Sequence, residues 1–165
     1  MTDERTQDTL VIERTFDAPV NLVWSMWTDP EHFQTWYGPE GASIPVARMD
    51  VRVGGTRLIC MEMATPNGTM EMWFTGEYEE VTENHRLVYT DSMSDEHGVV
   101  RSPPELGMPG GHPATTRVIV ELEDLGGRTR MRMTHEGISA DSPGAAGWAS
   151  ALDKLASVVD GAASR

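Results

Sequence analysis

The chain has 165 residues and carries 13 Lys and Arg against 26 Asp and Glu, a formal charge of −13. That length fits one domain, read as residues 8–161 with flexible ends at 1–7 and 162–165, and it can bury a core without a disulfide or metal staple. The acidity sets the chain against nucleic-acid phosphates and anionic lipid, and the lone cysteine, Cys60, excludes a disulfide framework.

The charged N-terminus, MTDERTQDTL, predicts no secretory leader, and no apolar run approaches the ~20 residues of a membrane span. A cytoplasmic protein without nucleic-acid or membrane partners is expected. Residues 10–17 read as a β-strand that ends at Ala18-Pro19. Val20, Val23, Trp24 and Trp27 then recur at helical spacing, with Asp17 as a capping candidate and Pro19 in the first turn. Asp29-Pro30 restarts the pattern with a cap and a first-turn proline, and Phe33 and Trp36 form the apolar pair of a second short helix that Gly38-Pro39 stops.

The middle of the chain reads as successive strands. Residues 45–52, 56–64, 69–81, 85–93, 116–124 and 128–136 are separated by turns at Val53-Gly54-Gly55, Pro66-Asn67-Gly68, Glu83-Asn84 and Gly126-Gly127. Apolar and polar residues alternate along them, which predicts an antiparallel sheet with one wet face and one covered face. The stretch between Ser94 and Thr115 is rich in Pro and Gly and reads as a loop, placed at a cavity mouth or a homodimer contact. A helix over 143–160 holds Trp148, Leu152 and Leu155 at a 3.6-residue period, with Asp153, Lys154 and Asp160 toward water and Gly161 as its stop.

Strand, two short helices, six strands and one long helix make an α+β domain in which a curved antiparallel sheet of six or seven strands wraps the C-terminal helix over a cavity. FDAPVNLVWSMWTDPEHFQTWYGPEG, FTGEYEEVTENHRLVYT, TRVIVELEDLGGRTRMRMTHEG and GWASALDKLASVV follow one another in that order. Together they resemble the family of activator-of-HSP-ATPase homologues (the ninety-kilodalton chaperone), within the START-like or SRPBCC superfamily. The resemblance implies the helix-grip fold of the birch-pollen allergen. Its members include a co-chaperone domain, a protein that sequesters an enediyne antibiotic and many small bacterial proteins of no assigned activity, so it implies a fold rather than one function. The chain has no room for the co-chaperone's separate N-terminal domain, which makes chaperone contact the weakest expectation.

No residue spacing points to a phosphate loop, a nucleophile elbow or a zinc motif, so no cofactor, metal or catalytic residue is assigned. Cys60 reads as an inert core thiol, and His97 and His112 as solvated loop residues. Strand parity and helical spacing aim Met61, Met63, Met72, Tyr89, Asp91, Met131, Met133, His135, Trp148 and Leu152 inward, while Trp24, Trp27 and Trp36 close one end. Methionine and tryptophan suit a plastic apolar pocket, although a solid core satisfies the same pattern. The expected function is binding of a hydrophobic or aromatic small molecule, with Tyr89, Asp91 and His135 as its polar points. A cyclase- or hydrolase-like enzyme and a protein-interaction module are the alternatives.

Overall fold

The computed structural model describes residues 9–39, 41–101, 115–138 and 143–163. β1 (Thr9–Phe16) leads into α1 (Val20–Thr28) and α2 (Pro30–Phe33). β2 (Ala42–Met49), β3 (Thr56–Thr65), β4 (Gly68–Thr82), β5 (Arg86–Ser94), β6 (Thr115–Asp124) and β7 (Thr129–Glu136) follow, and α3 (Pro143–Ala163) ends the chain. The seven strands form one antiparallel sheet in the order β1-β7-β6-β5-β4-β3-β2. Five neighbours in that order are joined directly along the chain, and β1 closes against β7 after the helical pair has crossed one end.

Local chemistry explains most boundaries. Asp29 caps α2 by accepting from the Glu31 amide at 2.9 Å, with Pro30 at the first helical position. Asn67 and its neighbour Pro66 form a two-residue loop between the paired Thr65 and Gly68, where Gly68 supplies a positive φ of 125°. Three expectations need correction. Asp17 does not cap α1: Pro19 holds the N-cap position, and its carbonyl accepts from Leu22 and Val23. Only Pro30–Phe33 of the second helix is α-helical, and Trp36 follows in a turn. Gly161 does not stop α3, which continues to Ala163, because one glycine costs a helix only about 1 kcal/mol.

The concave face of the sheet holds Ile59, Tyr78, Leu87, Tyr89, Val118, Val120, Met131 and Met133, all nearly inaccessible to water. Trp148, Ala151, Leu152, Leu155 and Val159 of α3 close over it in one cluster. Asp153 faces outward and pairs with Arg14 of β1 at 2.7 Å. Lys154 departs from its expected solvation: it is half-buried, and its ammonium donates to the Pro39 carbonyl at 3.2 Å, tying α3 to the segment after α2. The opposite sheet face carries cross-strand ion pairs such as Arg117–Glu79 at 2.7 Å and Arg86–Glu121 at 2.9 Å. Those exposed pairs keep the face wet and add little stability.

Candidate functional site

The interior is not wholly apolar. Arg57, on β3, is 2% exposed. It shares strand parity with Ile59 and Met61, so its side chain enters the covered side. Its guanidinium carbon lies 3.9 Å from the centre of the Tyr89 ring and 5.4 Å from that of Phe33, bridging the sheet to the helical pair through cation–π contacts. Asp91, two residues beyond Tyr89 on β5, places Oδ1 3.6 Å from Arg57 Nη1. That is an ion pair, but it is too long for a hydrogen bond.

Electrostatics follow from this placement. Burial pushes the Asp91 carboxyl up to about 6, with Arg57 pulling the other way. Burial also raises the tyrosine hydroxyls of Tyr37, Tyr78 and Tyr89, keeping them protonated. For Arg57 itself burial works against the charge, but the Asp91 carboxylate and the faces of the Tyr89 and Phe33 rings favour it, and the guanidinium stays protonated.

His135 of β7 has a different environment. Its Nδ1 accepts from Trp148 Nε1 at 2.8 Å, and its Nε2 lies 2.7 Å from Thr116 Oγ1. An indole N–H can only donate, so Nδ1 is the acceptor and the proton sits on Nε2. Nε2–H then donates to Thr116, whose hydroxyl donates to the Asp91 carbonyl at 3.0 Å. Burial, with Arg57 adding to it, lowers the imidazole to about 4. His135 is therefore a neutral link between α3, β6 and β5, with both ring nitrogens engaged.

An aromatic wall adjoins the cation. Trp27 stacks on Trp148 with centroids 5.8 Å apart and meets Trp36 edge-on at 4.7 Å. Phe33 stacks on Tyr37 at 4.5 Å, and Tyr37 meets Trp148 at 5.7 Å. Trp36 Nε1 donates to the Met26 carbonyl at 2.8 Å, whereas Trp27 Nε1 has no partner. Among the described residues, the buried atoms without a hydrogen-bond partner besides Trp27 Nε1 are Arg57 Nε and Nη1, the Tyr78 and Tyr89 hydroxyls and Asp91 Oδ1, all around the guanidinium, and Asn84 Oδ1 in the β4–β5 turn. The guanidinium faces Tyr78 closely enough to offset part of the burial effect on its hydroxyl, yet no hydrogen bond is completed there.

The structure thus brings Tyr89 and Asp91 together around Arg57, and links Trp27, Trp36, Trp148 and His135 through ring and hydrogen-bond contacts. Trp24, Met131, Met133 and Leu152 are buried in the adjoining core. Met61 is buried, and Met63 and Met72 are half-buried, near the β3–β4 hairpin end. Arg57, Tyr78 and Tyr37 are absent from the residues singled out by sequence. Parity with Met61 and Met63 on the same strand is the signal that finds Arg57. Cys60 is buried, and its thiol is raised by burial with Glu71 and Glu62 adding, so it is an unreactive thiol. Among the described residues no group of His, Cys, Asp or Glu could hold a metal, and no helix is long and apolar enough to cross a membrane. His97 is exposed in a turn, where Asp95 Oδ1 accepts from the His97 and Val99 amides; His112 and residues 102–114 lie outside the described residues.

Three solved structures show how widely the architecture is shared. Protein CV1439 from Chromobacterium violaceum is 26% identical, with a TM-score of 0.73 over 92% of this chain and 96% of that one. Protein Ms6760 from Mycobacterium smegmatis is 23% identical, with a TM-score of 0.73 and 96% of each chain covered. The AHSA1 protein from Silicibacter pomeroyi is 21% identical, with a TM-score of 0.68 over 92% of this chain and 97% of that one. No curated protein matches the chain. The family model described as Activator of Hsp90 ATPase homolog 1-like protein matches residues 17–160, which covers both short helices, six of the seven strands and nearly all of α3. With its seven-stranded sheet gripping a C-terminal helix, the chain belongs to this family of the START-like superfamily.

Proposed function

We propose that residues 8–161 act as one START-like domain that takes up a small, largely apolar organic molecule between α3 and the sheet. The observation that carries this reading is the set of unpartnered polar atoms around Arg57. A buried donor or acceptor left dry costs about 1–3 kcal/mol. Five such atoms lie on Arg57, Tyr78, Tyr89 and Asp91, and of these Arg57 Nη1 and Asp91 Oδ1 face each other as an ion pair at 3.6 Å. A polar occupant there, water or part of a ligand, would supply the missing partners. The surrounding Phe33, Tyr37, Trp27 and Trp148 rings suit the apolar remainder of such a molecule.

Native mass spectrometry of the purified protein, beside a titration with 1-anilinonaphthalene-8-sulfonate read through tryptophan emission, tests this. One bound molecule or one saturable dye site is expected. Met133→Trp should fill the space and weaken dye binding with little loss of melting temperature. If the parent binds no dye and Met133→Trp melts much lower, the interior is a packed core and the binding reading fails.

A second reading, an enzyme of the cyclase or hydrolase kind, has one observation in its favour. A carboxyl raised to about 6 beside a cation is matched to proton transfer near neutral pH. It predicts that a molecule recovered from the protein changes mass on incubation with the parent and not with Asp91→Asn.

A further inference from the structure

Resting on that binding reading, we infer that the molecule carries a carboxylate at one end and that Arg57 is the residue that anchors it. The guanidinium carbon lies over the Tyr89 ring at 3.9 Å and the Phe33 ring at 5.4 Å, and its N–H groups are what it can offer a ligand as hydrogen bonds. Two of its nitrogens, Nε and Nη1, make no hydrogen bond, and Nη1 stands 3.6 Å from Asp91 Oδ1. The hydroxyls of Tyr78 and Tyr89 add two more groups able to donate, against one unpartnered acceptor, Asp91 Oδ1. A donor-rich, cationic centre selects an acceptor-rich anion, and the two oxygens of a carboxylate can accept from the guanidinium and from a tyrosine hydroxyl together. The adjoining wall of Phe33, Tyr37, Trp27 and Trp148 selects an aromatic body. The substrate class is therefore an aryl carboxylate.

Asp91 makes the capture pH-dependent. The groups facing this centre are Tyr37 after α2, Arg57 on β3, Tyr78 on β4, Tyr89 and Asp91 on β5, and neutral His135 on β7. Asp91 is the carboxylate among them, so a bound anion competes with it for Arg57 and drives it to take up a proton. Binding of the carboxylate strengthens as Asp91 becomes protonated.

The test compares 2-naphthoate with 2-naphthamide, which share shape and differ in charge, by calorimetry and tryptophan quenching. The parent should prefer naphthoate by tenfold or more, and the preference should widen between pH 7.5 and pH 5. Arg57→Met should abolish the preference while still binding naphthamide, and Arg57→Lys should retain only part of it. Equal affinity of the parent for both probes overturns the carboxylate inference and leaves the binding reading standing. Binding of neither probe, with no dye site and no copurified molecule, overturns both. The parent comparison and its pH dependence need no variant, so they decide the matter even where Arg57→Met fails to fold.

Discussion

Two buried residues titrate in opposite senses over nearly the same range. His135 falls from 6.5 to about 4 on folding, so between those values the unfolded chain holds the extra proton. Its contribution is full above 6.5 and is lost as pH falls toward 4. Asp91 rises from 3.8 to about 6, so the folded protein holds the extra proton, and its contribution is full below 3.8 and is lost as pH rises through 6. Each shift corresponds to about 3 kcal/mol in order of magnitude. In the parent the two slopes nearly cancel between pH 4 and 6. Relative to the parent, Asp91→Asn should gain stability as pH rises over that window, and His135→Gln should lose it, in urea melts at half-unit intervals. Parallel slopes for the two variants would contradict the placement of both groups. The sequence showed both residues on the inward parity, but not that Thr116 and Trp148 engage both nitrogens of His135. Those partners lie 19 and 13 residues away, and only the folded register aligns them.

At the scale of the element, curvature is built into β4. A Cβ at Gly76 would fall 1.8 Å from the Thr90 carbonyl oxygen of β5, a backbone atom that cannot move aside alone. The register between β4 and β5 shifts just beyond, between Tyr78 and Glu80, and a bulge there bends the strand so that the sheet wraps α3. Gly76→Ala should therefore force β4 and β5 apart and lower the melting temperature sharply, whereas Gly41→Ala, with open space around its Cβ position, should cost only its backbone strain. Similar melting losses for the two would remove the close approach as the cause. Across the sheet, Leu152→Ala on α3 should cost about 2–5 kcal/mol, read by denaturant melts, because Leu152 is wholly buried under the sheet. Strands, turns and the gripping helix were legible because alternation, Gly and Pro marks and the 3.6-residue period are local signals. Arg57 was not. Its parity with Met61 and Met63 points inward, but a lone charge is costly to bury, and only the ring contacts with Phe33 and Tyr89, from other elements, show why it is kept inside.

At the scale of the whole molecule, Arg57 is a buried cation inside a chain of net charge −13. The two effects differ in range. Arg57 acts over a few ångströms in an interior that mobile ions do not enter, while the acidic surface repels an approaching anion over roughly one Debye length, about 10 Å at 0.1 M salt. On the proposed binding, repulsion would govern the encounter and the guanidinium the bound state. Raising salt from 10 to 150 mM should therefore speed association of 2-naphthoate, since screening weakens the outer barrier. Dissociation, set by contacts with Arg57, Tyr78 and Tyr89, should change little. The neutral 2-naphthamide should show neither dependence. Stopped-flow quenching of tryptophan emission separates the two rates. Association of naphthoate that slows with added salt would mean that the anion meets a positive surface first, and a captured carboxylate would then belong on the surface rather than on Arg57.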